Sequence, residues 1–183
     1  MDANEIVEAL SLLNAELRKR QAVGELCLFG GAVMVLVFRE RNSTKDIDAI
    51  FHPSDTIRVC AEAVAQELGL PNDWLNDGVK GFIETQPPLG QHPNLPQYDH
   101  LKLLAPTPEY LLAMKCLASR IGAGQTDYAD AKTLVRHLGY QTPEQVMALI
   151  EEYYPVAQIP IRARYFIEEL FPEAASSTVQ PPI

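Results

Sequence analysis

The chain has 183 residues, of which 47% are hydrophobic, enough for one domain with a proper core. Its 24 acidic and 15 basic residues leave a net charge of −9, which excludes a surface that coats nucleic acid broadly and leaves only local basic clusters, Arg18-Lys19-Arg20 and Arg39, Arg41, Lys45. Cys27, Cys60 and Cys116 are widely spaced in apolar surroundings, which excludes a disulfide framework or zinc spacing and suits core filling in a reducing cytoplasm.

Ile6, Leu10, Leu13 and Leu17 recur at steps of four, three and four, predicting an amphipathic helix over residues 4–20. This acidic, helical start does not read as a signal peptide. A buried strand is expected at Glu25 to Phe29, a buried helix at Ala32 to Phe38 starting from the glycines, and a second strand at Asp46 to Phe51. The uncharged run Leu26 to Phe38 is too short to span a bilayer. Ser54 is placed to cap a third helix, with Ile57, Ala61, Val64 and Leu68 on one face and Gly69 as its stop.

Residues 71–100 are rich in Pro, Gly, Asn and Gln, so a long loop is expected, with one short strand at Gly81 to Glu84. Leu101 to Leu104 should add a strand to the same sheet. From Thr107 the chain turns helical, with Pro108 at a first helical position. Further helices are expected from Thr126 or Asp127 to His137, from the Thr142-Pro143-Glu144-Gln145 capping box to Tyr153, and from Pro160 to Phe171. The fold class is therefore α+β. A small mixed sheet flanked by helices fills residues 1–106, a helical portion packed on it fills 107–171, and 172–183 form a Pro/Ser-rich tail expected to be disordered.

The chemistry concentrates between residues 30 and 48. Asp is depleted in strands, yet Asp46 and Asp48 share one face of a strand, with Cα atoms about 7 Å apart. Such a pair suits one hard cation, Mg²⁺ or Mn²⁺, held jointly with phosphate oxygens. Gly30-Gly31, between a strand and a helix, offers bare backbone N–H groups to a phosphate. Taken singly, a glycine pair is often only a turn and an Asp-x-Asp often only a solvated strand end. The order strand, Gly-Gly, helix, basic linker, Asp-x-Asp strand is more specific.

That order resembles the polymerase-β-like nucleotidyltransferase superfamily, and is most similar to its bacterial branch of AbiEii-type toxins and related uncharacterised proteins. Arg41 to Asp48 carries the branch's Arg-x-Thr-x-Asp-x-Asp pattern with one extra residue before Thr44. Leu70 to Asp77 and Tyr110 to Lys115 also look like signatures of the uncharacterised group. The resemblance covers roughly residues 20–170. It implies a nucleotidyltransferase-type sheet and a nucleoside triphosphate substrate, with Gly30, Gly31, Arg41 and Thr44 around it. It also implies a tRNA or protein acceptor, and a toxin-like role with an antitoxin partner. In that branch a Lys and a later Asp on the C-terminal helices complete the site. Lys115 matches the Lys, as phosphate clamp, and Asp127 or Asp130 the Asp, as general base or its orienter. Trp74, Asn76, Asp77 and Lys80 are candidates for a base-stacking and ribose-binding lip, Trp74 equally for a packed loop anchor.

The polymerase pattern needs a further carboxylate on the next strand, and only Glu84 and Asp99 stand in range. Asp127 could equally be a charge favoured by a helix N-terminus. Lys115 sits in an apolar helix segment, and truncating it is expected to cost little stability because no well-packed apolar group is removed. Two rivals accompany the enzyme reading: a non-catalytic nucleotide-binding or regulatory module on the same fold, and an antibiotic-modifying nucleotidyltransferase.

Overall fold

Buried and half-exposed residues alternate along Ile47–His52, and this alternation sets the two faces of the sheet. The computed structural model describes residues 1–82, 87–119 and 125–172. The chain divides into two units, Met1–Ile83 with Pro88–Thr107, and Glu84–Pro87 with Pro108–Ile183. The protein is α+β, with a five-stranded mixed sheet in the first unit and helices in both.

The sheet strands are β1 Gly24–Leu28, β2 Ile47–His52, β3 Leu75–Asn76, β4 Leu89–Gly90 and β5 Leu101–Pro106, in the order β3-β2-β1-β5-β4. β1 runs antiparallel to β2 and parallel to β5; β3 runs parallel to β2, and β4 antiparallel to β5. Leu26, Leu28, Ile47, Ala49, Phe51, Leu101 and Leu103 are buried. Their face is covered by α1 (Ala3–Lys19), which meets β5, and α3 (Ser54–Leu68), which meets β2 and packs on α1. The opposite face of β2 carries Asp48 and Ile50, both only part-buried.

Local chemistry explains the helix ends. Asp2 caps α1, its Oδ1 accepting from Asn4 and Glu5 N–H, while Glu5 reaches back to the Asp2 N–H. Pro53 is the N-cap residue of α3, and Ser54 instead donates its hydroxyl to the Phe51 carbonyl at 3.1 Å. The expected buried helix is present but not uniform. A short α2, Gly30–Val33, continues as a π-helical turn over Met34–Phe38. Asn94 Nδ2 binds the Val37 carbonyl at 2.9 Å, so one of that turn's carbonyls is met by a side chain from the 91–96 loop.

The 71–100 segment is more ordered than its composition predicts. Ile47 N–H bonds the Trp74 carbonyl at 2.7 Å, which starts the β2–β3 pairing. Leu89–Gly90 pairs with Ala105 and Pro106, so these two residues of the expected loop enter the sheet. A 3₁₀ turn occupies Gly78–Phe82, where the start of a strand was expected; the rest of that expected strand lies outside the described residues.

The second unit contains α4 (Pro108–Ala118), α5 (Gln125–Leu138), α6 (Pro143–Tyr153) and α7 (Ile161–Glu169). α4 contacts the other three helices, and Tyr110 to Leu117 is buried throughout. Arg162 of α7 donates to the Ser119 carbonyl at 2.8 Å, placing a cation at the C-terminal end of α4. The expected tail beyond Pro172 lies outside the described residues. Among the described residues, no helix is long and apolar enough to cross a membrane.

Candidate functional site

The glycine turn and the Asp-x-Asp strand meet in space because β1 and β2 are antiparallel neighbours. Leu28 faces Ala49, and the Phe29 N–H bonds the Asp48 carbonyl at 2.8 Å. The next residue, Gly30, lies in the left-handed region at φ 57°. A Cβ at Gly30 would stand 2.8 Å from Asp48 Oδ2. Glycine is therefore required twice here, by the backbone angle and by the carboxylate lying against it.

Gly31 is crowded by the basic linker. A Cβ there would overlap the Thr44 hydroxyl and lie 3.0 Å from Arg41 Nη1. Thr44 is 6% exposed, and its N–H bonds the Met1 carbonyl at 2.8 Å while its own carbonyl accepts from the Met1 nitrogen. Arg41 Nε donates to the Ser43 carbonyl at 2.7 Å, which curls the linker back toward the turn. Bare glycine backbone, a guanidinium, a hydroxyl and a carboxylate thus share one small region.

Asp46 precedes β2 and is part-buried, as is Asp48. Asn76 Nδ2 donates to Asp46 Oδ2 at 3.2 Å, and Asn76 lies beside Asp48 in the β2–β3 register. Two part-exposed carboxylates are the donor set that Mg²⁺ or Mn²⁺ accepts alongside phosphate oxygens, so these residues fit such an ion. They would not enclose it alone: among the described residues no three His, Cys, Asp or Glu side chains cluster to hold a metal. Of the two expected third carboxylates, Asp99 is an exposed loop residue paired with Arg18 at 3.0 Å, and Glu84 lies outside the described residues.

The proposed lip residues separate. Trp74 is 1% exposed and donates its indole N–H to the Ala61 carbonyl at 3.0 Å. It anchors β3 on α3, so the base-stacking role is withdrawn. Lys80 is half-exposed and bonds Asp77 at 2.5 Å, with Arg58 on the same carboxylate at 2.7 Å. Both cations lie over the Phe51 ring, at 5.9 and 5.2 Å from its centre. These two cations, Lys80 first, hold the Asp77 carboxyl below its usual range.

Lys115, Asp127 and Asp130 come together within the helical unit. Lys115 Nζ lies 2.7 Å from Asp130 Oδ2 and 3.8 Å from Asp127 Oδ1. Lys115 and Asp130 are buried at 9% and 4% exposure, whereas Asp127 has a half-exposed side chain. The expectation that Lys115 could be truncated at little cost does not hold, because its ammonium neutralises a buried carboxylate. No protein-family model, no curated protein and no solved structure matches this chain.

Proposed function

We propose that the protein is a divalent-cation-dependent nucleotidyltransferase that moves a nucleoside monophosphate from a triphosphate to a hydroxyl acceptor, with pyrophosphate as the leaving group. The observation that carries this reading is the approach of Asp48 Oδ2 to Gly30, a carboxylate lying against bare glycine backbone. Asp46 and Asp48 would hold Mg²⁺ or Mn²⁺. The ion would draw charge from the phosphate oxygens during displacement. Arg41 and Thr44 line the glycine turn, where they would bind and orient the triphosphate. For Lys115, Asp130 and Asp127, whose ionic cluster lies within the helical unit, the resemblance to AbiEii-type proteins suggests phosphate clamping and proton handling. The same resemblance favours a tRNA or protein acceptor, a toxin-like role and an antitoxin partner.

The test is transfer of label from each α-labelled nucleoside triphosphate, with Mg²⁺, to total cellular RNA or protein. Labelled RNA or protein that disappears with Asp48→Asn supports the reading; label on neither, or label that persists in that variant, contradicts it.

A second reading, a nucleotide-binding module without turnover, is favoured by one observation. The strand beside the aspartates presents an amide, Asn76, rather than a carboxylate. It predicts metal-dependent triphosphate binding with no transfer to any acceptor.

A further inference from the structure

We propose that the groove between α6 and α7 is a docking surface for a basic amphipathic helix of a partner protein. This surface lies wholly within the helical unit and does not depend on the aspartate site. The groove has a volume of about 620 Å³. On α6 its wall is Glu144, Met147, Ala148 and Glu151, the i, i+3, i+4, i+7 positions of one helix face. On α7 the wall is Arg164, Ile167 and Glu168, and Phe171 just beyond continues the same spacing. Its apolar floor is open to solvent, since Ala148 is exposed and Met147 and Phe171 are only part-buried. Ile161 and Tyr165 stand one turn apart beside Arg164 and Glu168, at 66% and 60% exposure. Two large apolar side chains in solvent next to an apolar groove mark an interaction surface.

The charge of the rim selects the occupant. Glu144, Glu151 and Glu168 outnumber Arg164. Glu151 and Glu168 are exposed and make no ion pair among the described residues. Such a rim repels phosphate, which disfavours nucleic acid and anionic lipid. A second copy docking groove to groove would set glutamate against glutamate. The copy's Arg18, Lys19 and Arg20 are no better placed, being paired already with Asp99 and Glu16. Residues 173–183 follow close behind Phe171, but their only charged side chain is Glu173, of the same sign as the rim. A partner helix with apolar anchors at i, i+3 or i+4, and i+7, flanked by Lys or Arg, matches both floor and rim. The α6 wall is about 10 Å long. A contact of that size is small for a permanent complex, so the binding is weak and reversible.

The test is a backbone-amide NMR titration of the full chain with a helical peptide that has leucine on one face and lysine on the other. Its counterpart with glutamate in place of lysine serves as control. The lysine peptide should shift the amides of α6 and α7, and the glutamate peptide should not. Ala148→Lys, at an exposed position that tolerates it, puts a cation into the groove and should weaken binding about tenfold. Glu151→Gln/Glu168→Gln should also weaken it. Glu62→Gln/Glu67→Gln on α3 changes net charge equally and should leave it unchanged. Absence of binding, shifts centred outside α6 and α7, or equal binding of the glutamate peptide would each overturn the proposal. Equal weakening by the two glutamine pairs would do so too, since it marks attraction to the overall charge alone. Groove amides that shift when the chain is cut after Pro172, or when the chain alone is concentrated, would assign the groove to the chain itself and overturn it as well.

Discussion

Gly30 and Gly31 sit side by side for different reasons, and their substitutions should separate those reasons. Gly30→Ala meets a left-handed backbone and the Asp48 carboxylate, and should lose about 1–2 kcal/mol from the backbone angle alone. Gly31→Ala meets no such angle but collides with Thr44 and Arg41, and should lose about 1–3 kcal/mol by overpacking. Urea denaturation reads both; a Gly31→Ala chain as stable as the native one would show that the linker is not packed on the turn. Lys115 gives a third case. Truncation to Ala removes the ammonium paired with Asp130, a carboxylate at 4% exposure, and should cost about 3 kcal/mol. Asp127→Ala, at a half-exposed position, should cost much less in the same denaturation experiment. At this scale the sequence was informative where a residue type was out of place, as with a lysine in an apolar helix and Asp48 in a strand; Asp46, expected in that same strand, precedes it. The sequence named Asn76 only as a lip candidate and could not show its hydrogen bond to Asp46, because a lone amide in a polar loop has no pattern. For Trp74 it left a stacking platform and a packed anchor equally open, and burial with an indole bond to the Ala61 carbonyl decides for the anchor.

Elements with long periodic patterns or explicit ends could be read directly. The apolar spacing of α1 and the Ser54-to-Gly69 frame of α3 place those helices to within a residue or two of their observed bounds. The start of α6 follows from Thr142-Pro143-Glu144-Gln145. Gln145 Oε1 accepts from the N–H of Gln141 at 2.7 Å and of Thr142 at 3.1 Å. Gln145→Ala should therefore destabilise the helical unit by about 1 kcal/mol, seen as earlier hydrogen exchange in the first turn of α6; unchanged exchange there would remove the cap from the account. What could not be read were β3 and β4, two residues each. A pair of residues has no period, and these strands exist only because β2 and β5 present edges to them. The π turn after α2 is likewise invisible in composition, since its register is supported by Asn94 from a distant loop.

For the whole molecule, charge and thiols set the pH response. The lowered carboxyls Glu16, held first by Lys19 and then by Arg20, and Asp77, held first by Lys80, contribute stability that is present above their ordinary values of 4.5 and 3.8. That contribution is lost as pH falls through their lower folded values. The thiols act oppositely. Burial pushes Cys27 up to about 11 and Cys116 up to about 12, so the folded chain keeps protons that the unfolded chain releases from about pH 9. Stability should be level between pH 6 and 8 and should decline from pH 9 toward 11, with Cys116→Ala flattening part of that decline. Thermal unfolding across this range checks it; an unchanged slope in the variant would contradict the assignment. All three cysteines are free and buried, as their apolar sequence surroundings led one to expect. Alkylation by iodoacetamide should accordingly be slow at pH 8 until the chain is unfolded.

Under the proposed function, Asp46 and Asp48 bind a divalent cation together with a triphosphate against the glycine turn. Calorimetric titration of an α,β-methylene nucleoside triphosphate, with and without Mg²⁺, into the native chain and into Asp46→Asn/Asp48→Asn tests it most directly. The expected result is Mg²⁺-dependent binding to the native chain that the double variant loses while unfolding at a similar temperature. Binding that is independent of Mg²⁺, or equal in the two proteins, would contradict it.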